Sequence, residues 1–269
     1  MAFTSFDVDF NAASKKTSSE ATGVSGKMTF SFSKNPLADN FILDLSISNT
    51  TKLDGNPSGN LTAFAFNVPG ATKPSPDFKL VTYEPLSSGF GDLFGATTNG
   101  KEANVVDGGE YRFPAGTPRT APYAPFNNFT FCARDDGNNC HGGSGNTKFG
   151  IADGITKSVR FTIASNRSDI NTASLVAQSF FDLFDSIDYS DNGDYKNAPI
   201  ALRFQSVTTA SGARGKSDKV AGVPKRPPQA PSDEVPGPVP MLGAATAFAF
   251  SRRLRRRIAA SCAQKHPTV

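Results

Sequence analysis

The fold class is decided by MTFSF at residues 28–32 and LDLSI at residues 43–47, where apolar and polar side chains alternate. Successive side chains of a β-strand point to opposite faces, so the alternation predicts strands with one buried and one solvated face. Antiparallel sheets tolerate a solvated face, whereas parallel strands between two layers of helices are apolar on both sides. The two stretches therefore predict strands of an antiparallel sheet.

The same alternation recurs through residues 1–222. It is found at 6–10, 64–68, 159–163 and 200–204, and more weakly at 78–84, 109–113 and 127–133. The 24 Gly and 19 Pro residues indicate many turns, and 23 Phe residues without any Trp indicate a core filled largely by phenylalanine. About nine strands joined by such turns predict an all-β domain, an antiparallel β-sandwich of the jelly-roll-like kind, over residues 1–222.

One segment departs from the two-residue period. In ASLVAQSFFDLFDSID at residues 173–188, the apolar side chains fall at helical spacing. They are Val176, Phe180, Leu183, Phe184 and Ile187. We predict one short amphipathic helix that crosses the sandwich, with a further strand as the alternative.

Five aspartates recur at every third position in and after this segment: Asp182, Asp185, Asp188, Asp191 and Asp194. Carboxylate oxygens suit calcium, so a calcium site is one interpretation. The spacing does not match an EF-hand loop, and a solvated face of the helix explains the first three aspartates. We predict no metal ligand in the chain.

The chain contains three cysteines, and two of them bracket the polar segment CARDDGNNC. Its turn-prone residues can bring the thiols of Cys132 and Cys140 within bonding distance. A disulfide between them implies an oxidising compartment. The alternatives are two unrelated reduced thiols, or a metal site with His141 as the nearest additional ligand. Cys262 is expected to be unpaired.

No motif of an enzyme active site is present. The sequence lacks GxSxG, HExxH and P-loop patterns, and its two histidines are His141 and His266. We therefore predict neither catalytic residues nor a cofactor. A carboxylate pair of the glycosidase kind stays an alternative, and Tyr83, Tyr111 and Tyr123 are the candidates for stacking against a sugar.

Positive charge is concentrated at the end of the chain. The formal net charge of +4 comes from 28 cations and 24 anions, but eight of the cations and two of the anions lie from Lys225 onward. Residues 1–224 thus hold 20 cations against 22 anions, a net charge of −2. A nearly neutral domain gives no electrostatic reason to expect nucleic acid as a partner.

The charged end has three parts after the β domain. Residues 223–238 are rich in proline and predict an extended, disordered linker. Residues 239–258 predict a short apolar helix, whose stretch 240–250 covers about 16 Å of a hydrocarbon core about 30 Å thick. Five arginines end it: Arg252, Arg253, Arg255, Arg256 and Arg257. Because such a run stays on the cytoplasmic side, we expect a cytoplasmic extension over 259–269 and a β domain outside the cytoplasm.

The order of a proline motif, an apolar segment and an arginine run resembles the PEP-CTERM sorting signal of Gram-negative bacteria. Pro236 and Pro238 match the two prolines of the family motif, and Gly237 replaces its central Glu, as in a PGP variant reminiscent of cyanobacterial members. The resemblance implies an exosortase-like membrane transpeptidase as a partner, which cuts near the proline motif and passes the protein to the cell surface. A plain tail anchor is the alternative.

These features together predict a non-enzymatic, exported protein with a structural or adhesive role, held transiently at the inner membrane through residues 239–251. The alternatives are a module that binds an extracellular polysaccharide, a calcium-dependent adhesion module, and an extracellular glycosidase.

Overall fold

The computed structural model describes residues 2–11, 22–52, 55–70, 77–86, 121–123, 126–134, 150–187 and 197–227. Within these ranges the strands are β1 (Ser5–Asn11), β2 (Ser25–Lys34), β3 (Phe41–Asn49), β4 (Ser58–Phe66), β5 (Phe78–Pro85), β6 (Ala121–Tyr123), β7 (Phe126–Phe129), β8 (Phe131–Arg134), β9 (Thr156–Ser165), β10 (Ile200–Thr208) and β11 (Lys216–Lys225). The helix α1 (Ala173–Phe184) lies between β9 and β10.

Nine of these strands form one antiparallel sheet in the order β5-β9-β3-β2-β1-β11-β10-β4-β8, and β6 pairs with β7. The sheet curls into a half-barrel, because strands far apart in this order meet across the core. The Phe66 ring in β4 packs edge-on against Phe161 in β9, with 5.8 Å between ring centroids. The antiparallel, mostly β class predicted by the alternation is confirmed. The nine strands of the large sheet are hydrogen-bonded continuously and are not divided into two separate layers.

The alternation of β2 and β3 is the physical basis of this core. Phe30 of β2 lies opposite Leu45 of β3, and both side chains are fully buried, whereas Thr29 and Ser31 are half-buried on the other face. Burial of each such apolar side chain contributes roughly 1.5–3 kcal/mol to stability. The rows of phenylalanine therefore hold the sheet in its curled form.

Helix α1 packs across the concave side of the sheet. Its N-cap residue Thr172 accepts a hydrogen bond from the backbone N–H of Leu175, and its buried face includes Phe180 and Phe184. The ring of Phe180 lies 5.2 Å from that of Phe32 in β2. The predicted helix is confirmed, and it ends at Phe184.

Strand β11 extends a short distance past the predicted domain boundary at residue 222. We expect prolines after this point to prevent strand formation, yet β11 continues to Lys225, and Pro224 lies opposite Val8 of β1. The pairing of β11 with β10 ends at Ala221, so β1 is the register partner that remains for Pro224. A missing N–H is tolerated where one side of a strand is unpaired.

The compact unit that contains the sheet runs from Met1 to Pro227. The rest of the predicted linker, the predicted helix 239–258 and the predicted extension 259–269 lie outside the described residues. Among the helices that the structure describes, none is both long and apolar enough to cross a bilayer.

Candidate functional site

The predicted sorting residues Pro236, Gly237, Pro238, Arg252, Arg253, Arg255, Arg256 and Arg257 all lie outside the described residues. Cys132 lies in β8, opposite Ala65 of β4, but Cys140 is outside the described ranges, as is His141. Tyr83 lies in β5 and Tyr123 in β6.

Two of the five aspartates that suggested a calcium site lie within the described residues, and three lie outside them. Asp182 and Asp185 are exposed, and Asp182 accepts a hydrogen bond of 2.5 Å from the Gln178 side chain one turn earlier. Asp188, Asp191 and Asp194 lie outside the described residues. In the part of the chain that the structure describes, no three His, Cys, Asp or Glu side chains are grouped to hold a metal ion.

A polar cleft of about 440 Å³ lies at the end of the sheet where β1 ends and β2 begins. Its polar lining comes from three separate parts of the sequence: Asp9, Asn11, Ser25, Lys27, Thr50 and Lys52. Gly23 and Gly26 also belong to the lining, together with the apolar residues Phe10 and Pro57. Hydroxyl, amide and ammonium groups are thus brought to one concave surface.

Hydrogen bonds between the β2 and β3 ends fix one wall of this cleft. The Thr50 hydroxyl donates to Ser25 Oγ at 2.9 Å, and the Thr50 backbone N–H donates to the Ser25 carbonyl at 3.0 Å. The Ser25 backbone N–H donates to Thr51 Oγ1 at 3.1 Å. This wall is therefore held in place before any ligand arrives.

Ion pairs balance much of the charge beside the cleft. Lys27 Nζ lies 2.7 Å from Asp7 Oδ2, and Lys225 pairs with Asp9. Partial burial raises the pKa of Asp7, but hydrogen bonds from Lys27 and Thr29 outweigh this and leave the pKa below its ordinary value. The polar part of the lining therefore carries no large excess of either charge.

The face of β10 and β11 that points away from the main core carries two buried cations. Arg203 lies directly opposite Lys219, and these residues are only 5% and 8% exposed. Burial, and then the neighbouring charge of Arg203, lower the pKa of Lys219 to about 8. A lysine at this position changes its charge near neutral pH, which an ordinary surface lysine does not.

A second apolar cluster covers the sheet around this pair. It consists of Ala63, Ala65, Phe126, Phe129, Ala198, Ala201 and Ala221. Alternation alone predicts a solvated outer face for β4 and β10, so sequence reasoning missed this second layer. One feature of the sequence indicated this layer. At the outward positions of β4 and β10 the sequence has alanine, whereas β2 has Thr and Ser at its outward positions.

A further group of polar residues, around Asn49, stabilises the fold. Asn49 is 1% exposed, and its Nδ2 donates to the carbonyls of Gly59 at 2.7 Å and Ile151 at 2.9 Å. Burial raises the pKa of nearby Asp153, against hydrogen bonds from the Gly59 N–H and the Asn49 side chain. The group joins the end of β3 to β4 and to the segment before β9.

The chain matches no family model, no curated protein and no solved structure. Candidate sites therefore depend on the geometry above and on the sequence of the tail.

Proposed function

We propose that this chain is a non-enzymatic, secreted or surface-directed protein with a structural or adhesive role, delivered by its own C-terminal sorting signal. The observation that carries the proposal is the order of Pro236-Gly237-Pro238, the apolar residues 239–251 and the arginine run that begins at Arg252. The proline motif is the place of cleavage, the apolar residues enter the membrane, and the arginines keep them there.

The apolar part is marginal as a permanent anchor, because residues 240–250 reach only about halfway across a hydrocarbon core. The arginines resist transfer to the outer side of the membrane and so hold the segment in place. A short hold of this kind suits a substrate that an exosortase-like transpeptidase then cuts near the proline motif.

The β domain suits the outside of the cell in this proposal. Its two facing halves act as the layers of a jelly-roll-like sandwich, with a core of phenylalanine. Its outer face is rich in paired polar groups, such as the two hydrogen bonds of 2.6 and 2.9 Å from Arg160 to Asp44. A Cys132–Cys140 disulfide would add roughly 2–3 kcal/mol by closing a short loop.

Cell fractionation tests the sorting role. The chain truncated after Glu234 should appear in the growth medium, whereas the full chain should be retained in the envelope fraction. A control that replaces Lys79, an exposed residue of β5, with Ala should be retained like the full chain. Equal retention of the truncated and full chains would refute the proposal.

A second candidate function, binding of an extracellular polysaccharide, is favoured by the polar cleft. Its hydroxyl and ammonium groups are suited to the hydroxyl-rich surface of a glycan. Replacing Thr50 with Val and Lys52 with Ala should abolish retention on an immobilised polysaccharide, while Lys79→Ala should leave it unchanged. Equal retention of the wild type, the variant with Thr50→Val and Lys52→Ala, and Lys79→Ala would exclude the cleft as the polysaccharide-binding site.

A further inference from the structure

We propose that Lys219 is a modification site, at which the side-chain amine reacts with dissolved carbon dioxide to form a carbamate that Arg203 holds. Lys219 lies in β11 and Arg203 in β10, and the register of the two strands places them directly opposite each other. Both residues belong to the β domain, so the modification does not depend on the proposed sorting role.

The register also determines how close the two side chains are. Residues directly opposite each other on one face of an antiparallel pair have Cβ atoms about 4.5–5.5 Å apart. Both side chains point away from the main core, because the next residues along the strands, Leu202 and Val220, are buried in it. The amine and the guanidinium can therefore meet without any change in the backbone.

The surroundings of this pair are apolar. The adjacent pair on the same face is Ala201 opposite Ala221, and both are fully buried in the second apolar cluster. Alanine side chains offer neither a hydrogen bond nor an opposite charge to an ammonium ion. The Lys219 amine thus lies beside an apolar surface and a cation.

The carboxylate next to Lys219 in the sequence points to the other face of the sheet. Asp218 lies opposite Phe204 of the main core, and its Oδ2 accepts a hydrogen bond of 2.6 Å from the Thr22 hydroxyl. Among the described residues, the charge that acts on the Lys219 side chain is that of Arg203.

This setting favours the neutral amine, which is the nucleophilic form of lysine. Burial disfavours the charged form, and a neighbouring cation disfavours it further. Burial and then the charge of Arg203 lower the pKa of Lys219 to about 8. At pH 8 about half of the molecules therefore carry a free amine, whereas an ordinary lysine is almost fully protonated. Desolvation and a second cation are also what activates lysine nucleophiles in enzymes.

Carbon dioxide is an electrophile that suits this amine, since a molecule of three atoms can reach a side chain that is only 8% exposed. The lone pair of Lys219 Nζ attacks the carbon atom and an N–C bond forms. One carbon–oxygen double bond becomes single as its electron pair moves to oxygen, and the nitrogen gives one proton to water. Nothing is oxidised or reduced, and the product is a carbamate with one negative charge.

The sign of the new charge selects carbon dioxide over other electrophiles. An aldehyde or a ketone would form an imine, which is a cation when it is protonated and so preserves the repulsion with Arg203. The carbamate is an anion with two oxygens, and a guanidinium can donate two parallel hydrogen bonds to such a group. The modification therefore replaces two like charges by an ion pair.

Carbon-13 NMR of the full chain at pH 8 in ¹³C-labelled bicarbonate tests the inference. The wild type should show a carbamate resonance that is absent from Lys219→Met. Arg203→Met keeps the amine but removes the cation, so this variant should lose most of the resonance. Circular dichroism establishes whether both variants retain the β structure of the wild type.

Alkylation of the carbamate oxygen with an oxonium reagent locates the modification in the wild type, without any substitution. A mark on Lys219 blocks tryptic cleavage after this residue, so mass spectrometry should find it on the intact fragment 217–225. The exposed Lys79 is the internal control and should stay unmarked, because Ala164 rather than a cation lies opposite it in β9.

Absence of the resonance from the wild type, or a resonance of equal size in Lys219→Met, would overturn the inference. An undiminished resonance in folded Arg203→Met would overturn it as well, because Arg203 would then not hold the carbamate. If either variant fails to fold, the mark in the wild type decides. Marking confined to Lys219 supports the inference, and equal marking of Lys219 and Lys79 contradicts it.

Discussion

Phe10 of β1 lies directly opposite Gly222 of β11, and a Cβ atom on Gly222 would come within 2.5 Å of Phe10 Cε1. On its other side, Phe10 lies opposite Gly26 of β2. The middle strand of the sheet thus places a large, fully buried ring between two glycines. The ring fills the space beside Gly222, whereas Leu202 and Phe204 fill the space beside Gly26, and the close pairing of β1 with β11 depends on Gly222.

Gly222→Ala should therefore destabilise the domain. The added methyl group forces Phe10 and Val8 to move in a packed core, which typically costs about 1–3 kcal/mol. Urea unfolding measures the change. The matched comparison is Gly222→Ala in a Phe10→Leu background, where the smaller side chain should reduce the added loss. A Gly222→Ala protein as stable as the wild type would contradict this packing.

Lys219 should make stability depend on pH in the alkaline range. Its folded pKa of about 8 lies below the ordinary lysine value of 10.5, so the unfolded chain binds the proton more strongly. Stability should then rise as pH increases from about 8 to 10.5, by roughly 3 kcal/mol in total. Urea unfolding of the wild type and of Lys219→Met across this range isolates the effect, because other groups titrate in both proteins. Parallel stability curves would show that Lys219 has an ordinary pKa.

Asn49→Ala should be destabilising, because the carbonyl of Gly59 loses its side-chain donor, whereas the carbonyl of Ile151 keeps the Leu61 N–H. A buried group that loses a partner costs about 1–3 kcal/mol, and we expect a loss of that size. Thermal or urea unfolding measures it, with the exposed Ser211→Ala as the control. A loss no larger than that of the control would show that Asn49 does not join these elements.

The thiols of Cys132 and Cys140 should be joined when the protein is made in an oxidising compartment. Peptide mapping by mass spectrometry without reduction should recover the two residues in one linked fragment, and Cys262 as a free thiol. Free thiols at both Cys132 and Cys140 in protein exported to the periplasm would contradict the pairing.

The sequence predicts best where the two faces of a strand differ. In β2 and β3 the apolar side is buried and the Ser, Thr and Asp side is half-exposed, so their alternation is enough to identify the strands. Helix α1 is equally clear, because Val176, Phe180 and Phe184 share one face.

It predicts less where burial depends on distant parts of the chain. Arg203 has the sequence pattern of a solvated position, but a second layer that includes Phe126 and Phe129 covers that face of the sheet. In the sequence, Pro224 indicates the end of a strand. Strand β11 nevertheless continues, because its pairing with β10 has already ended at Ala221 and Pro224 pairs only with β1. The cleft combines residues near the ends of β1, β2 and β3, and only the register brings Asp9, Lys27 and Thr50 together.

The central claim concerns the arginines at the chain's end, and the mass of the mature protein tests it most directly. Intact mass and C-terminal peptides are measured on protein isolated from the envelope of its own host. We predict a C-terminus near Pro236–Pro238 and no residues from Arg252 to Arg257. Envelope protein that retains the complete sequence through Val269 would contradict processing at the sorting motif.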